Sequence, residues 1–292
     1  MRSPPLHLRP GDRRWPTELD DIDGPPSELW ARGRIELLRE RPRVAIVGTR
    51  SPTAYGEAQA GRFARWFGAH GVVVVSGLAR GVDQTAHRGA LEAAGGTIAV
   101  LGSGVDRPWP EGELAQRIGA EGLLLSEYAP EQAPRRHHFP LRNRLISALA
   151  DAVLVVEAGY RSGSLITSRW AADQGRPVFA LPGRVDHPMA RGCHRLIGEG
   201  ATLVESPEQL AEEMDWSPPP TGDVAGARST ARPSGKTLRD DPLLAALRGE
   251  TLSADELRTR LDWPMERVLV ALVEAELAGH VVRGPGGLFR LG

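Results

Sequence analysis

The fold of this chain is decided by the stretch Val44-Ala45-Ile46-Val47-Gly48-Thr49-Arg50, in which an apolar strand runs into a glycine and then into a polar helix start. The same pattern returns in Ser76-Gly77-Leu78-Ala79-Arg80-Gly81-Val82-Asp83. Glycine lets a backbone approach a ligand closely, and the first N–H groups of a helix have no intrahelical partner. Two such turns side by side predict a site for anions, phosphate above all.

The two turns also indicate which phosphate ligand is expected. Neither contains the Gly-x-Gly-x-x-Gly pattern, and no acidic ribose-binding residue is evident, so a dinucleotide cofactor is not expected. Each turn carries an arginine instead, Arg50 and Arg80. These features favour a phosphate polymer, and no cofactor is predicted.

Composition excludes several classes of protein. The chain has 292 residues, of which 41 % are hydrophobic, which fits one large α/β domain and a small second one. No apolar run approaches the ~20 residues of a membrane span, and no secretory signal is evident, so no membrane association is expected. The single cysteine, Cys193, excludes an internal disulfide framework and fits a reducing cytoplasm. The net charge of −1 means that any nucleic-acid site must be a local patch.

Apolar strands alternate with helices from residue 43 onward, which predicts a parallel sheet covered on both faces. Right-handed crossovers then give an extended Rossmann-like, doubly wound α/β domain over residues 43–216. The predicted strands are Val44–Val47, Val72–Val75, Thr97–Leu101, Gly122–Leu125, Ala152–Val156, Pro177–Ala180 and Thr202–Val204. The predicted helices are 56–69, 82–94, 112–119, 141–149, 163–174, 193–198 and 207–214.

The rest of the chain divides into three parts. Residues 1–42 are expected to be a lead-in that ends in a helix near Glu28–Leu38. Residues 217–235 are rich in proline and glycine and predict a linker. Three helix-like segments and a terminal hairpin in 236–292 predict a small winged helix-turn-helix domain, which holds 8 basic and 9 acidic residues.

A dense cationic segment lies between Pro134 and Leu145. Basic residues that follow a backbone, with an aromatic ring on which a base can stack, are typical of a groove for single-stranded nucleic acid. An equally weighted alternative is a solvated loop whose phenylalanine packs in the core. The candidate site residues in this segment are Arg135, Arg136, His137, His138, Phe139, Arg142, Asn143 and Arg144.

A third glycine turn, Ser162-Gly163-Ser164, follows the strand that ends at Val156. Its serines can cap the next helix or donate to a phosphate, and capping is the expected role of at least one. Asp83 and His87 lie four residues apart on a predicted helix, where such pairs commonly only stabilise the helix. No nucleophile with a matching base and no metal-binding spacing is evident, so neither catalytic nor metal-binding residues are predicted.

Taken together, these residues resemble the bacterial DNA-processing protein A family (DprA, also called Smf). The resemblance covers about residues 44–205 in unbroken order. It is carried by Val44–Arg50, Ser76–Asp83 with His87, Thr97–Asp106, Ser126-Glu127, Phe139–Arg144, Glu157, Ser162–Thr167 and Leu181–Gly183.

The resemblance implies a non-enzymatic protein that binds and protects incoming single-stranded DNA and loads the RecA recombinase during natural transformation. The implied partners are single-stranded DNA, RecA, a single-strand binding protein and a second copy of the chain. By analogy Arg50, Arg136 and Phe139 are the principal DNA contacts. Backbone donors come from Gly48 and the Gly77–Gly81 turn, and Ser76 and Arg80 complete the candidate set.

Three departures from the family pattern carry expectations of their own. The family often has an N-terminal sterile-alpha-motif-like domain, which we expect to be absent or truncated. The family commonly has Tyr-Pro-x-x-Asn after Asp106, whereas this chain has Trp109-Pro110-Glu111-Gly112-Glu113, and its carboxylates weigh against a DNA contact from that loop. Acidic residues on the last helix argue against a strong reader of a DNA groove, and these are Glu266, Glu274 and Glu276.

Two functions of other classes fit these residues less well than DNA binding does. Rossmann-fold phosphoribohydrolases cleave nucleoside monophosphates with a Pro-Gly-Gly-x-Gly-Thr turn followed by a glutamate, whereas here Glu157 precedes the turn. A winged-helix transcription regulator would need a more basic winged helix than residues 236–292 provide. Single-stranded DNA binding is therefore the leading hypothesis.

Overall fold

The computed structural model describes residues 4–216, 242–277, 280–284 and 287–291. The chain divides into two compact units, Met1–Gly222 and Asp223–Gly292. The hydrophobic clusters of the two units share no residue, and each unit is described by itself. The predicted linker 217–235 lies outside the described residues, so its conformation stays a prediction.

The described residues of the first unit form a nine-stranded sheet in the order β1-β2-β6-β5-β4-β3-β7-β8-β9. The strands from β3 to β9 are parallel, and β1 and β2 add an antiparallel edge. This confirms the predicted fold class, and the seven predicted strands coincide with β3–β9 to within one residue at each end. The strands are β1 (Leu6–Leu8), β2 (Leu29–Gly33), β3 (Arg43–Val47), β4 (Val73–Ser76), β5 (Thr97–Val100), β6 (Leu123–Ser126), β7 (Ala152–Val155), β8 (Val178–Ala180) and β9 (Thr202–Leu203).

Helices cover both faces of this sheet. Alternate residues of β3 point to opposite faces, so Val44 and Ile46 join one core cluster and Ala45 and Val47 join the other. Such two-sided burial explains why the strands are continuous apolar runs. The helices are α1 (Ala54–Ala69), α2 (Val82–Glu92), α3 (Glu113–Glu121), α4 (His138–Leu149), α5 (Ser164–Asp173), α6 (Arg191–Gly198) and α7 (Pro207–Glu213).

The helix predicted near Glu28–Leu38 is wrong. The chain forms β2 there, which pairs with β6, and then a short 3-10 helix, Ile35–Leu38. Burial alternates along β2, with Leu29 and Ala31 buried, which is the two-residue period of a strand. Gly33 ends the strand at a φ of 112°, where a β-carbon would meet the carbonyl oxygen of Gly122 at 2.2 Å. The sequence before residue 43 therefore belongs to the sheet.

A buried arginine ties this N-terminal segment to the centre of the sheet. Arg43 begins β3 and is fully buried, and its guanidinium pairs with Glu18 and donates to the carbonyl of Leu38 at 2.8 Å. Burial lowers the pKa of Arg43 to about 10. Both partners precede Arg43 in the sequence, so these contacts hold the N-terminal segment against the sheet.

The described part of the second unit is a small helical core with a three-stranded sheet in the order β10-β12-β11. This confirms the predicted winged-helix architecture and adds β10, which was not predicted. Its helices are α8 (Pro242–Ala246), α9 (Ala254–Leu261) and α10 (Met265–Leu277), and its strands are β10 (Leu252–Ser253), β11 (Val281–Arg283) and β12 (Leu288–Leu291).

Strand order places the ligand crevice of the first unit. The chain runs outward from β3 through β4, β5 and β6, and then returns to the other side of β3 as β7. Doubly wound sheets bind ligands outside the carboxyl ends of the strands, at such a switch point. The ends of β3 and β7 are therefore where a site is expected. Among the described helices, none is long and apolar enough to cross a membrane.

Candidate nucleic-acid interface

The three predicted glycine turns meet at the carboxyl ends of β3, β4 and β7. The Thr49 N–H donates to the carbonyl of Glu157 at 2.7 Å, and the Val82 N–H donates to the carbonyl of Thr49 at 3.2 Å. Gly81 has a φ of 82°, and a β-carbon there would meet the Thr49 carbonyl oxygen at 2.6 Å. Only glycine accommodates both the backbone conformation and the close approach of the two turns.

An open cavity of about 790 Å³ lies beside these turns, at the switch point of the sheet. Its wall brings together ten of the predicted site residues, which come from the turn after β3, from α4 and the residues before it, and from the start of α5. These residues are Gly48, Arg50, Arg135, Arg136, Phe139, Arg142, Asn143, Ser162, Gly163 and Ser164. We call this cavity the groove.

Three arginines of the groove have exposed side chains. Arg50 follows β3, and Arg135 and Arg136 precede α4. The ion pairs among the described residues include none of the three. Their charges are therefore free to meet an anionic ligand, and phosphate is the anion that guanidinium groups bind bidentately.

Phe139 lies among these cations, in the first turn of α4. The helix begins at His138, three residues before the predicted start, so Phe139 is held by a helix. Its ring packs against Gly102, where a β-carbon would lie 2.9 Å from the ring, and the side chain is half-buried. The ring is thus supported by the chain and also lines the groove, as a base-stacking platform must.

Two arginines of the same segment are buried instead. Arg142 donates to the carbonyl of Gly77 at 2.9 Å and to that of Val100. Burial lowers the pKa of Arg142 to about 10, and the nearby positive charge of Arg50 acts in the same direction. Arg144 pairs with Glu127 at 2.6 Å and lies outside the groove. These guanidinium groups hold the chain together, and Arg142 contributes positive charge to the groove floor.

Several other predicted site residues lie outside the groove wall. His138 stacks on Tyr128 with ring centroids 3.8 Å apart, and His137 meets the ring of His138 edge-on. The Ser76 hydroxyl donates to the carbonyl of Ile46 at 2.7 Å, so it joins β4 to β3. Arg80 is exposed on the turn before α2.

Asp83 and His87 serve different parts of the fold. The Asp83 carboxylate accepts from the Gly77 N–H at 3.1 Å, so that donor is already used, and burial raises the pKa of Asp83 to about 6. The Thr97 hydroxyl donates to Val74 and must therefore accept from Nδ1 of His87, which leaves Nε2 unprotonated. Burial lowers the pKa of His87 to about 3, so this histidine is neutral at physiological pH.

The third turn begins α5 at the groove. Gly163 is the N-cap of α5, and the Ser162 and Ser164 hydroxyls are 2.8 Å apart. A β-carbon at Gly163 would meet nothing within 4 Å, so this turn is open to a ligand. The Gly163 carbonyl accepts a 3.4 Å hydrogen bond from Asn143, which links this turn to α4.

Glu157 stabilises the start of α1. It is buried, and its carboxylate accepts from the Thr53 N–H at 2.9 Å and the Thr53 hydroxyl at 2.7 Å, just before α1. It does not line the groove. Among the described residues, no group of three or more His, Cys, Asp or Glu side chains could hold a metal ion.

The predicted site residues omit an aromatic side chain of the groove wall. Trp109 lines the groove and is 49 % exposed, although the acidic residues after it weighed against a contact from its loop. Neither Glu111 nor Glu113 lines the groove. The Pro-Trp-Pro run at 108–110 is the signal that could have drawn attention to it.

Comparison with family models is decisive for classification. The model for DNA recombination-mediator protein A matches residues 7–215, and that for the DprA winged helix domain matches 227–287. The chain belongs to the DNA recombination-mediator protein A (DprA) family. This confirms the resemblance stated from the sequence.

Relatives of known name support the same membership. The chain is 38 % identical to Protein Smf of Escherichia coli over 100 % of its own length and 79 % of that protein. It is 41 % identical to the DNA processing protein DprA of Bacillus subtilis over 69 % of each chain.

Two solved DprA structures share the fold. DprA from Streptococcus pneumoniae matches with a TM-score of 0.68 at 41 % identity, over 71 % of this chain and 74 % of that one. DprA from Helicobacter pylori, described for its single-stranded DNA binding mode, matches with a TM-score of 0.66 at 32 % identity, over 73 % and 98 %.

Proposed function

We propose that this DprA-family chain binds single-stranded DNA in the groove and acts by binding, without catalysing a reaction. The observation that carries the proposal is the combination of three exposed, unpaired arginines with a half-buried phenylalanine in one open cavity. The DprA of H. pylori, which is described as binding single-stranded DNA, supports the same ligand by family membership.

Each part of the groove has a distinct task in this proposal. Arg50, Arg135 and Arg136 bind phosphates, while the Gly163 turn offers N–H and hydroxyl donors at the start of α5. Phe139 stacks on a base. Stacking tolerates any base, so binding is expected to depend little on sequence.

The groove should prefer a single strand to a duplex. A base can reach the half-buried ring of Phe139 only after it leaves its neighbours, and duplex bases are already stacked and paired. The arginines alone would bind either form of DNA. Strand preference therefore belongs to the aromatic part of the groove.

The biological role that fits this binding is that of a recombination mediator. In it, the protein protects an incoming single strand and promotes loading of the RecA recombinase in natural transformation, alongside a single-strand binding protein. Its place of action in this proposal is the cytoplasm. It acts as a homodimer, because two grooves held together cover more of a strand and raise the apparent affinity through effective concentration.

The phosphoribohydrolase alternative is less well supported than DNA binding. That chemistry needs a carboxylate beside the sugar, and the Glu157 carboxylate accepts two hydrogen bonds from Thr53 away from the groove wall. The carboxylate that does line the groove, Asp83, accepts from the backbone N–H groups of Gly77 and Ala79. Incubation with nucleoside monophosphates is expected to release no free base.

The direct test compares a thymidine oligonucleotide with a duplex of equal length at one ionic strength. We expect the single strand to bind at least tenfold more tightly, which is about 1.4 kcal/mol. Equal affinities would reduce the groove to a general phosphate site, and absence of single-strand binding would refute the proposal.

Assembly can be tested separately. Light scattering at micromolar protein is expected to find a dimer, with or without DNA. A monomer under both conditions would refute the dimer while leaving the groove assignment intact.

A further inference from the structure

Trp109 is an aromatic side chain of the groove to which the proposed function assigns no contact. It lies in the loop between β5 and α3, lines the same cavity as Phe139 and Arg50, and is 49 % exposed. An indole ring of this exposure leaves a large apolar surface in water. A ligand bound in the cavity would cover this surface.

Most other tryptophans of the chain have a partner within the protein. The Trp15 indole donates to Asp20 at 2.7 Å, and four further rings are covered by a neighbouring side chain. These are Trp30 on His7, Trp66 on His70, Trp216 against Phe67 and Trp263 under Arg267. Within the described ranges, no ring contact or hydrogen bond occupies Trp109. Its aromatic face is therefore available.

The loop that carries Trp109 is held in place at several points. The Gly104 N–H donates to Gln132 at 2.8 Å, the Asp106 N–H donates to Pro130 at 3.0 Å, and the Asp106 carboxylate pairs with Arg32. A β-carbon at Gly104 would lie 2.1 Å from the Pro130 carbonyl oxygen, so the two loops touch backbone to backbone. The anchored backbone before Trp109 reduces the conformational entropy that the loop loses when a ligand binds.

The loop is also joined to the cationic segment. Residues 130–132, which accept its hydrogen bonds, lead directly to Arg135 and Arg136. The acidic neighbours Glu111 and Glu113 do not line the groove, and Glu113 lies in the first turn of α3. Backbone hydrogen bonds thus connect the loop of Trp109 to the segment that leads into the groove arginines.

We propose that Trp109 is a second stacking platform of the groove and covers a nucleobase of the bound strand, in addition to the base on Phe139. This inference rests on the proposed binding of single-stranded DNA. Two rings on separate elements, α4 and the β5–α3 loop, make the groove take two bases of one strand while the arginines bind the phosphates.

The test uses the full chain with Trp109→Ala, Trp109→Phe and Arg50→Ala, on a thymidine oligonucleotide and on an abasic strand of equal length. Trp109→Ala is expected to weaken thymidine binding about tenfold, since stacking contributes about 1–3 kcal/mol per base. Trp109→Phe retains a ring and should bind within about threefold of the wild type. That difference is about 0.7 kcal/mol, against about 1.4 kcal/mol for the tenfold loss expected of Trp109→Ala. On the abasic strand, Trp109→Ala and wild type should bind alike, whereas Arg50→Ala should be weaker on both strands.

A fluorescence titration gives a second readout. Thymidine binding should quench part of the tryptophan emission of the wild type, and Trp109→Phe should lose that quenching. Equal weakening of Trp109→Ala on both strands, or wild-type affinity of Trp109→Ala on thymidine while Arg50→Ala is impaired, would overturn this inference alone. Failure of the wild type to bind thymidine strands would overturn the proposed function and this inference with it.

Discussion

Two pairs of arginines lie within one short segment, at 135–136 and at 142 and 144, and they differ in burial. Arg135 and Arg136 precede α4 and are exposed, whereas Arg142 and Arg144 lie on α4 and are buried. The start of the helix at His138 separates the two groups. Burial and partners therefore distinguish arginines that stabilise the fold from those proposed to bind DNA, and the density of cations alone does not.

The largest expected effect is on the folding side of this comparison. Arg144→Met leaves the Glu127 carboxylate, whose side chain is 15 % exposed, without its partner. Breaking a fully buried pair costs about 3–5 kcal/mol of unfolding free energy, which is the upper bound for this partly buried one. The exposed counterpart Arg135→Met should change stability by less than about 0.5 kcal/mol. Urea unfolding measures both, and similar losses would erase the distinction.

Next in size is the stacking contact on the binding side. Phe139→Ala should weaken single-strand binding by about 1–3 kcal/mol and leave the salt dependence nearly unchanged, because no charge is removed. Phe139→Leu is the matched control, since it still packs against Gly102 but lacks the ring. If the leucine variant binds as tightly as the wild type, packing rather than stacking explains Phe139.

The smallest effect is expected from the second unit, which extends the comparison to another set of arginines. Arg260 pairs with Glu250 at 2.5 Å, and Arg267 lies over the Trp263 ring at 4.0 Å. The solvent face of α10 presents Glu266 with apolar side chains such as Val270. A chain that ends at residue 220 should therefore lose less than tenfold in single-strand affinity, which is about 1.4 kcal/mol. A greater loss, measured by fluorescence anisotropy, would make the second unit part of the DNA site.

Sequence patterns were sufficient for most of the fold. Apolar runs located β3–β9 because both faces of a parallel sheet are buried. The helix predicted near Glu28–Leu38 is wrong because the two-residue period of Leu29 and Ala31, which marks a strand, lies beside a helix-like run. The partner of that strand, β6, lies about ninety residues away and cannot be inferred from local periodicity.

The candidate site was less accessible to sequence reasoning. Glycine turns and the exposed arginines were found because their local chemistry is distinctive. The burial of Arg142 depends on carbonyls of Gly77 and Val100, which only the folded chain brings together. Trp109 is harder to assign from sequence, because the sequence does not show that the neighbouring carboxylates lie outside the groove wall.

The salt dependence of single-strand affinity tests most directly that the exposed arginines bind phosphate. Each phosphate contact contributes about 0.7 to the slope of log affinity against log salt on a single strand, so Arg50→Ala combined with Arg136→Ala should flatten the slope by about 1.4. Arg62→Ala, an exposed arginine on α1 outside the groove wall, should leave it unchanged. A slope for the double variant equal to that of the wild type would contradict the assignment of the groove.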